Sequence, residues 1–450
     1  VPIEAQPRDT LQPSPEEPLP PGSSDPPPGG NKGEKWPLPP WRSYQLLGFV
    51  IISYMGVYLC RKNLSVAIPM IQKAFGVNKA RTGDIISYSA AAYALGKFLF
   101  GPIIDRFGGR ICLLLVMAGV AVFGGLGAFA SSIPMLALCY SANRFCGSAG
   151  WGAIVKQTPA WFPRRHWALA MGLLSLSFVF GGVVALLLAG KIAAWSGDNW
   201  RMVMGLPSLV LLALLVIMWR VLPCDRVAAR AERNAAGSSG FDFAYMVRLI
   251  KLPQLWVVCG MAFALYIMRE TFNDWTVDYF KTEGGPAMSN QVAAVLSTPF
   301  DAAGAVGIVL LGWMFDRLTG LRRTIVLFGT LALLAILIYW LPSLYRRGLW
   351  QVETTIGLIG FLSYGPYSLL AGVLAVEIGG RNGVGTVAGL VDATGYLATV
   401  FAGHYFGKLL DYGGYRLGFH VLAFVTLTAA FLCLGLKSSQ APQPSHAPQA

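Results

Sequence analysis

Stretches of predominantly apolar residues, each long enough to cross a bilayer as a helix, recur from one end of this chain to the other. About 20 such residues span the hydrocarbon core of a membrane. Lipid offers the backbone no hydrogen-bond partners, so a spanning segment must satisfy its own amides. Twelve stretches are predicted, centred near residues 57, 92, 121, 146, 180, 211, 266, 302, 333, 362, 393 and 426. Of 450 residues, 55% are hydrophobic and 13% charged, whereas a soluble chain carries about 25% charged residues. The expected fold is an all-α polytopic membrane protein with twelve transmembrane helices.

A formal net charge of +13 would suit a nucleic-acid partner if it formed one patch. Instead the arginines gather in alternate connections: Arg106 and Arg110, Arg164 and Arg165, Arg226 to Arg248, and Arg317, Arg322 and Arg323. That bias predicts those loops, and both termini, on the cytoplasmic side. The charge is topological, and no nucleic acid is expected. The seven cysteines contain no CxxC pair and read as small core residues. His166, His404 and His420 share no metal-binding spacing, and there is no Walker motif, nucleophile elbow or HExxH. Nothing therefore calls for a metal, a cofactor, ATP hydrolysis or covalent catalysis, and the chain does not read as an enzyme.

Two features repeat at nearly one offset. Gly101-Pro-Ile-Ile-Asp105-Arg106 follows the second span and Gly312-Trp-Met-Phe-Asp316-Arg317 the eighth, 211 residues later. Arg61 lies in the first apolar segment and Arg269 in the first of the second half, 208 residues later. A parallel six-plus-six duplication is predicted, its axis along the membrane normal. The expected organisation is a disordered Pro-rich tail over 1–43, six helices over 44–222, a cytoplasmic linker over 223–252, six helices over 253–437 and a second tail over 438–450. The N-terminal tail lacks the basic and apolar regions of a signal peptide. The chain begins at Val1 rather than methionine, so its true start is expected upstream. In the Gly-x-x-x-Asp-Arg loops, Gly101 and Gly312 are expected to permit close helix approach. Asp105, Arg106, Asp316 and Arg317 are expected to clasp helix ends, a conformational role.

A charge placed at the centre of a membrane helix costs roughly 2.5–3.5 kcal/mol, so such residues commonly line a substrate path. Arg61 and Arg269, one per half, suggest a cationic site on the pseudo-twofold axis, shaped for an anion. Lys97 follows Tyr93 by one turn, and Tyr54, Tyr58 and Arg61 share a helix face, so each helix presents phenols beside a cation. Snorkelling or an internal ion pair is the bland alternative for each cation. Glu270, Asp274 and Asp301 either orient and neutralise the arginines or belong to solvated helix ends. Asp392, among small residues in the eleventh span, is expected to pair with a cation on a facing helix, Lys97 being the candidate, or to carry a proton. Arg144, in the fourth span, reads as structural rather than substrate-binding.

Taken in order, Tyr58-Leu-Cys-Arg61-Lys62-Asn63, Ala92-Tyr93-Ala-Leu-Gly-Lys97, Arg269 with Asp274-Trp275, Tyr364-Gly365-Pro366, and Gly385-Thr-Val-Ala-Gly389 with Gly395-Tyr396 resemble the organophosphate:phosphate antiporter family of the major facilitator superfamily. The resemblance runs from about residue 44 to 437. It implies exchange of a phosphorylated metabolite, such as glycerol-3-phosphate or a sugar phosphate, for inorganic phosphate by alternating access. It implies a functional monomer; the expected location is a bacterial inner membrane, with an organelle envelope as the alternative. Carried over, Arg61 and Arg269 grip the phosphoryl oxygens, Lys97 adds positive charge, and Tyr58, Tyr93, Tyr364, Tyr396 and Trp151 line the cavity. Asp274 and Asp301 stand where the family has acids. Phe178 takes a place where some members carry a histidine, which leaves substrate choice and protonation open. Two other readings stand beside this one: a proton-coupled carrier of a carboxylate or sugar acid, and a membrane sensor of a phosphorylated metabolite.

Overall fold

The computed structural model describes residues 36–163, 166–222, 249, 251–318, 320–371 and 373–436. The two tails and most of the basic linker fall outside them, as do Arg164 and Arg165. Among the described residues the regular structure is helical, without strands. The first half contains α1 (Pro40–Phe75), α2 (Lys79–Phe107), α3 (Gly109–Ala128), α4 (Ile133–Gly147), α5 (Gly150–Gln157), α6 (Trp167–Trp195) and α7 (Trp200–Val221). The second contains α8 (Pro253–Gly284), α9 (Asn290–Asp316), α10 (Gly320–Leu344), α11 (Leu349–Ala371) and α12 (Val373–Cys433).

Eight of these helices are long and apolar enough to cross a membrane by length and composition alone. The remaining crossings fall short for local reasons. Lys79, Arg81, Asp84, Lys97 and Arg106 dilute α2, and Gln351 and Glu353 dilute α11. The fourth crossing breaks at Ser148–Ala149 into α4 and α5. Finally, α12 runs 61 residues, roughly three bilayer thicknesses if straight. It is not straight. Gly414 has φ +65°, and a Cβ on Gly418 would meet Leu410 at 2.9 Å and Phe406 at 3.0 Å. Residues twelve apart in a continuous helix would be about 18 Å distant. The chain therefore reverses at Gly414, where glycine takes a left-handed conformation at little steric cost, and α12 supplies two crossings. Among the described residues, twelve helical crossings in two sets of six result.

Burial runs opposite to that of a soluble protein. Leu115, Leu209, Val309, Phe424 and other large apolar side chains are exposed, while Lys62, Arg269, Glu270, Asp278 and Asp301 are buried. Hydrocarbon is the expected solvent of the outer surface, so polar groups turn to the bundle axis.

The halves meet where α2 packs on α12, α6 on α9 and α1 on α8. Small residues permit the closest approach: a Cβ on Gly83 would lie 2.5 Å from the Gly403 carbonyl oxygen, so the backbones of α2 and α12 touch. One face of this seam is locked by polar contacts. The Asp411 carboxylate accepts hydrogen bonds from the backbone amides of Lys79 at 3.0 Å and Ala80 at 2.9 Å. These are orphan donors at the start of α2, so the second half caps a helix of the first. Beside it, Lys79 pairs with Asp278, and Asp278 also accepts from the Tyr415 hydroxyl at 2.5 Å. One turn along, His404 Nδ1 lies 2.5 Å from Asp84 Oδ1.

Candidate functional site

Arg61 sits in the middle of α1 and Arg269 in the middle of α8, so the duplication puts the two guanidiniums at one depth on facing helices. Glu270 lies between them. Its carboxylate accepts from Arg269 Nη2 at 2.8 Å through one oxygen, and its other oxygen is 3.6 Å from Arg61 Nη2. Asn273, one turn along α8, donates to the same carboxylate at 3.4 Å. The two cations are thus bridged by one acid. Arg269 Nε is buried without a partner, an unused donor beside that bridge.

Aromatic rings supply the rest of each arginine's surroundings. Arg61 lies 5.3 Å from the centroid of Tyr58 and 5.4 Å from that of Tyr93. The Arg269 guanidinium is 4.0 Å from Tyr367, 5.4 Å from Tyr266 and 5.6 Å from Tyr364. Ring faces attract a cation without competing for its hydrogen bonds, and Arg61 Nη1 in addition donates to the Tyr58 hydroxyl at 3.3 Å. Tyr93 packs on Tyr396 at 4.7 Å and Tyr396 on Tyr266 at 5.3 Å, which joins the two cation clusters across the half interface. The backbone carbonyl of Arg61 is held by the Tyr140 hydroxyl at 2.6 Å.

A second cross-half ion pair lies beside the first. Lys62 Nζ donates to Asp301 Oδ2 at 2.9 Å and to Asn273 Oδ1 at 2.6 Å. Tyr364 donates to the other oxygen of Asp301 at 2.7 Å. Gly182 leaves the space: a Cβ there would meet Asp301 Oδ2 at 2.8 Å.

The expected site residues separate into groups. Arg61, Glu270, Asp274 and Tyr396 line one pocket, and Tyr58, Tyr93 and Arg61 line an adjoining one. Arg144, read from sequence as structural, lines both. Lys97 approaches through the rings, 5.9 Å from Tyr93 and 5.6 Å from Tyr396. Trp151 packs against Tyr54, with centroids 6.1 Å apart. Asp392 does not take Lys97 as its partner: its carboxylate accepts from the Tyr266 hydroxyl at 2.6 Å, because α8 rather than α2 presents the nearest donor.

The loop motifs end their helices. Gly101, Asp105 and Arg106 fall in the last turns of α2, and Gly312 and Asp316 in those of α9, with Arg317 as its C-cap. Arg317 covers the Trp313 ring at 4.0 Å and Arg106 the Phe107 ring at 5.7 Å. A Cβ at Gly312 would meet nothing within 4 Å, so close helix approach does not account for that glycine in this conformation. The side chains of Asp105, Asp316 and Phe178 lie outside the description.

Sequence reasoning passed over Lys62, although it stands next to Arg61 in an apolar segment. It found no metal-binding spacing at His404, and the fold pairs that residue with Asp84. A lysine within a span was signal enough for the first; nothing local marks the second.

The chain matches the Major Facilitator Superfamily over residues 50–403. It is 27% identical over 416 residues to a probable hexose phosphate transport protein of Chlamydia pneumoniae, covering 85% of this chain and 88% of that one. It is 27% identical to the glycerol-3-phosphate transporter of Bacillus subtilis, over 86% of this chain and 90% of that one. The membrane sensor protein UhpC of Salmonella typhimurium is 24% identical over 90% of this chain and 94% of its own length. Among solved structures, a bacterial homolog of the human lysosomal transporter Spinster, inward-facing and unoccupied, superposes with a TM-score of 0.70 at 16% identity. That match covers 90% of this chain and 100% of the other.

Proposed function

The chain belongs to the major facilitator superfamily, and on that premise we propose that it exchanges a phosphorylated organic metabolite for inorganic phosphate by alternating access. It is an integral multi-pass membrane transporter, not an enzyme. The observation that carries the reading is the bridge of Glu270 between Arg61 and Arg269. A phosphate near neutral pH bears between one and two negative charges, and a guanidinium fork matches two of its oxygens. Such a ligand competes with Glu270 for both arginines. Binding then alters the contacts that join the halves, which is a physical route from occupancy to rearrangement. The similarity to hexose phosphate and glycerol-3-phosphate transporters supports the same class of substrate.

In this reading Arg61 and Arg269 hold the phosphoryl group and Lys97 adds charge. Tyr58, Tyr93, Tyr364 and Tyr396 shape the walls, while Asp274, Asp301, Asp392 and Glu270 set the charge balance. With the arginine-rich connections assigned to the cytoplasm, the seam locked at Lys79, Asp278 and Asp411 faces outward, and the structure is the inward-facing member of the cycle. Radiolabelled phosphate counterflow in proteoliposomes preloaded with phosphate, glycerol-3-phosphate or glucose-6-phosphate tests the exchange. Trans-stimulated uptake is expected, and no flux with any counter-substrate would overturn it.

A sensor is the second reading, favoured by the similarity to UhpC over 94% of that protein's length. A protein that binds organophosphate in detergent yet carries no flux at any preload would select it.

A further inference from the structure

Arg144 is a buried cation that the phosphoryl grip does not use. It is 9% exposed and sits one turn before the break between α4 and α5. Its guanidinium carbon stands 4.5 Å from the Tyr93 centroid. Arg61 lies 5.4 Å and Lys97 5.9 Å from the same centroid. Three cations therefore converge on one ring.

Their compensation is uneven. Glu270 pairs with Arg61 and Arg269, and Asp301 pairs with Lys62. Among the described residues neither Arg144 nor Lys97 has a carboxylate within ion-pair distance. Asp274 lines the same pocket as Arg144 but stands beyond that distance. Structural arginines elsewhere in this chain look different. Arg110 donates to the carbonyls of Leu222 and Trp219, and Arg201 to those of Ala128 and Ala130. Both are consumed in tying off helix ends. The Arg144 guanidinium makes no such bond among the described residues, and it lines both cavities beside Arg61. A buried cation with unspent donors, a ring face beside it and no carboxylate within ion-pair distance among the described residues is set to receive an anion.

We propose that Arg144, with Lys97, forms a second anion subsite around Tyr93, beside the phosphoryl subsite of Arg61 and Arg269. The preferred substrate is then a phosphomonoester that carries a second acidic group, a carboxylate or another phosphate. This rests on the exchange reading above and narrows its substrate. The arginine fork accepts a carboxylate through two parallel hydrogen bonds, which a neutral alcohol at the same place does not offer.

Two probes differ in that group alone. D-3-Phosphoglycerate ends in a carboxylate where sn-glycerol 1-phosphate, which shares its configuration at C2, ends in an alcohol. Each is used to compete against radiolabelled phosphate exchange in proteoliposomes, and each is added to the purified protein in detergent while thermal unfolding is followed. For the unaltered protein, phosphoglycerate is expected to be the better ligand by roughly tenfold or more in both assays. Arg144→Gln should bring the ratio of the two affinities close to one, and Arg144→Lys should keep part of it. A ratio does not depend on the overall rate or on the amount of folded protein. Equal affinities in the unaltered protein, or an undiminished ratio in Arg144→Gln, would overturn the subsite while phosphate exchange itself stood. Preferential stabilisation by phosphoglycerate that Arg144→Gln removes, without phosphate flux, would uphold the subsite and remove the exchange reading. Stabilisation by neither probe would overturn the subsite.

Discussion

Lys62 Nζ lies 2.9 Å from Asp301 Oδ2, an ion pair between the two halves in which both side chains are less than a tenth exposed. The neighbouring residue, Arg61, reaches across the same interface to Glu270. Consecutive cations of α1 are thus divided between two acids of the second half, one on α8 and one on α9. The first pair is closed at hydrogen-bond distance and further satisfied by Asn273 and Tyr364. The second, at 3.6 Å, is looser. The tighter pair suits holding the halves together, and the looser one suits yielding to a ligand.

Asp301→Asn or Lys62→Gln alone should destabilise the protein by about 3–5 kcal/mol, because each leaves its partner as an uncompensated buried charge. The double variant should cost less than the sum of the two. Thermal unfolding in detergent measures all three. Single variants as stable as the parent would show that the pair contributes nothing to holding the halves.

Arg61→Lys and Arg269→Lys should each lower the specificity of phosphate counterflow by roughly 10–100-fold. A hydrogen bond to an ionised group contributes about 1.5–3 kcal/mol, and lysine lacks the second prong of the fork. Full activity in both variants would take the phosphate away from these residues.

Glu270→Gln should separate affinity from turnover. Without its charge the arginines have no internal competitor, so the apparent KM for phosphate is expected to fall several-fold. Turnover should fall as well, because release then lacks the acid that replaces the ligand. A variant with unchanged KM would mean that ligand and Glu270 do not compete.

Gly403→Val should disfavour the closed seam. A Cβ on Gly83 already meets the Gly403 carbonyl at 2.5 Å, and Gly403 itself abuts Ser87. A branched side chain would push α2 and α12 apart and weaken the Asp411 cap on α2. A cysteine placed at Ala80, buried in the seam beside Asp411, should react faster with a membrane-impermeant thiol reagent in this variant. Equal reactivity would show that the seam tolerates the added volume.

Much of the fold was legible because a membrane imposes its pattern residue by residue. Apolar segments of fixed length mark the crossings, and repeated Arg61/Arg269 and Gly101/Gly312 features mark the two halves. The crossings that composition alone obscures are those carrying function or breaks: α2 with Lys97, and α4 with Arg144 and the Ser148 interruption. There a polar residue lowers the apolar signal because the helix serves the interior. Candidate residues of the site were legible as charges out of place. Their partners were not, since Asp392 meets Tyr266 and His404 meets Asp84 over separations of 126 and 320 residues. No local spacing encodes such meetings.

The sequence by itself determined that the chain crosses a membrane repeatedly, that it is duplicated, and that cations lie within its helices. Hydropathy and charge are local properties, summed along the chain whatever its folded shape. Only the tertiary structure decided which cations are compensated: Arg61 and Arg269 by one shared acid, Lys62 by Asp301, while Arg144 lies against the ring of Tyr93 with no carboxylate within ion-pair distance among the described residues. An ion pair depends on a few ångströms between side chains on different helices. That distance is set by how α1, α2, α4, α8, α9 and α12 pack, where Gly83, Gly182 and Gly403 let the helices close.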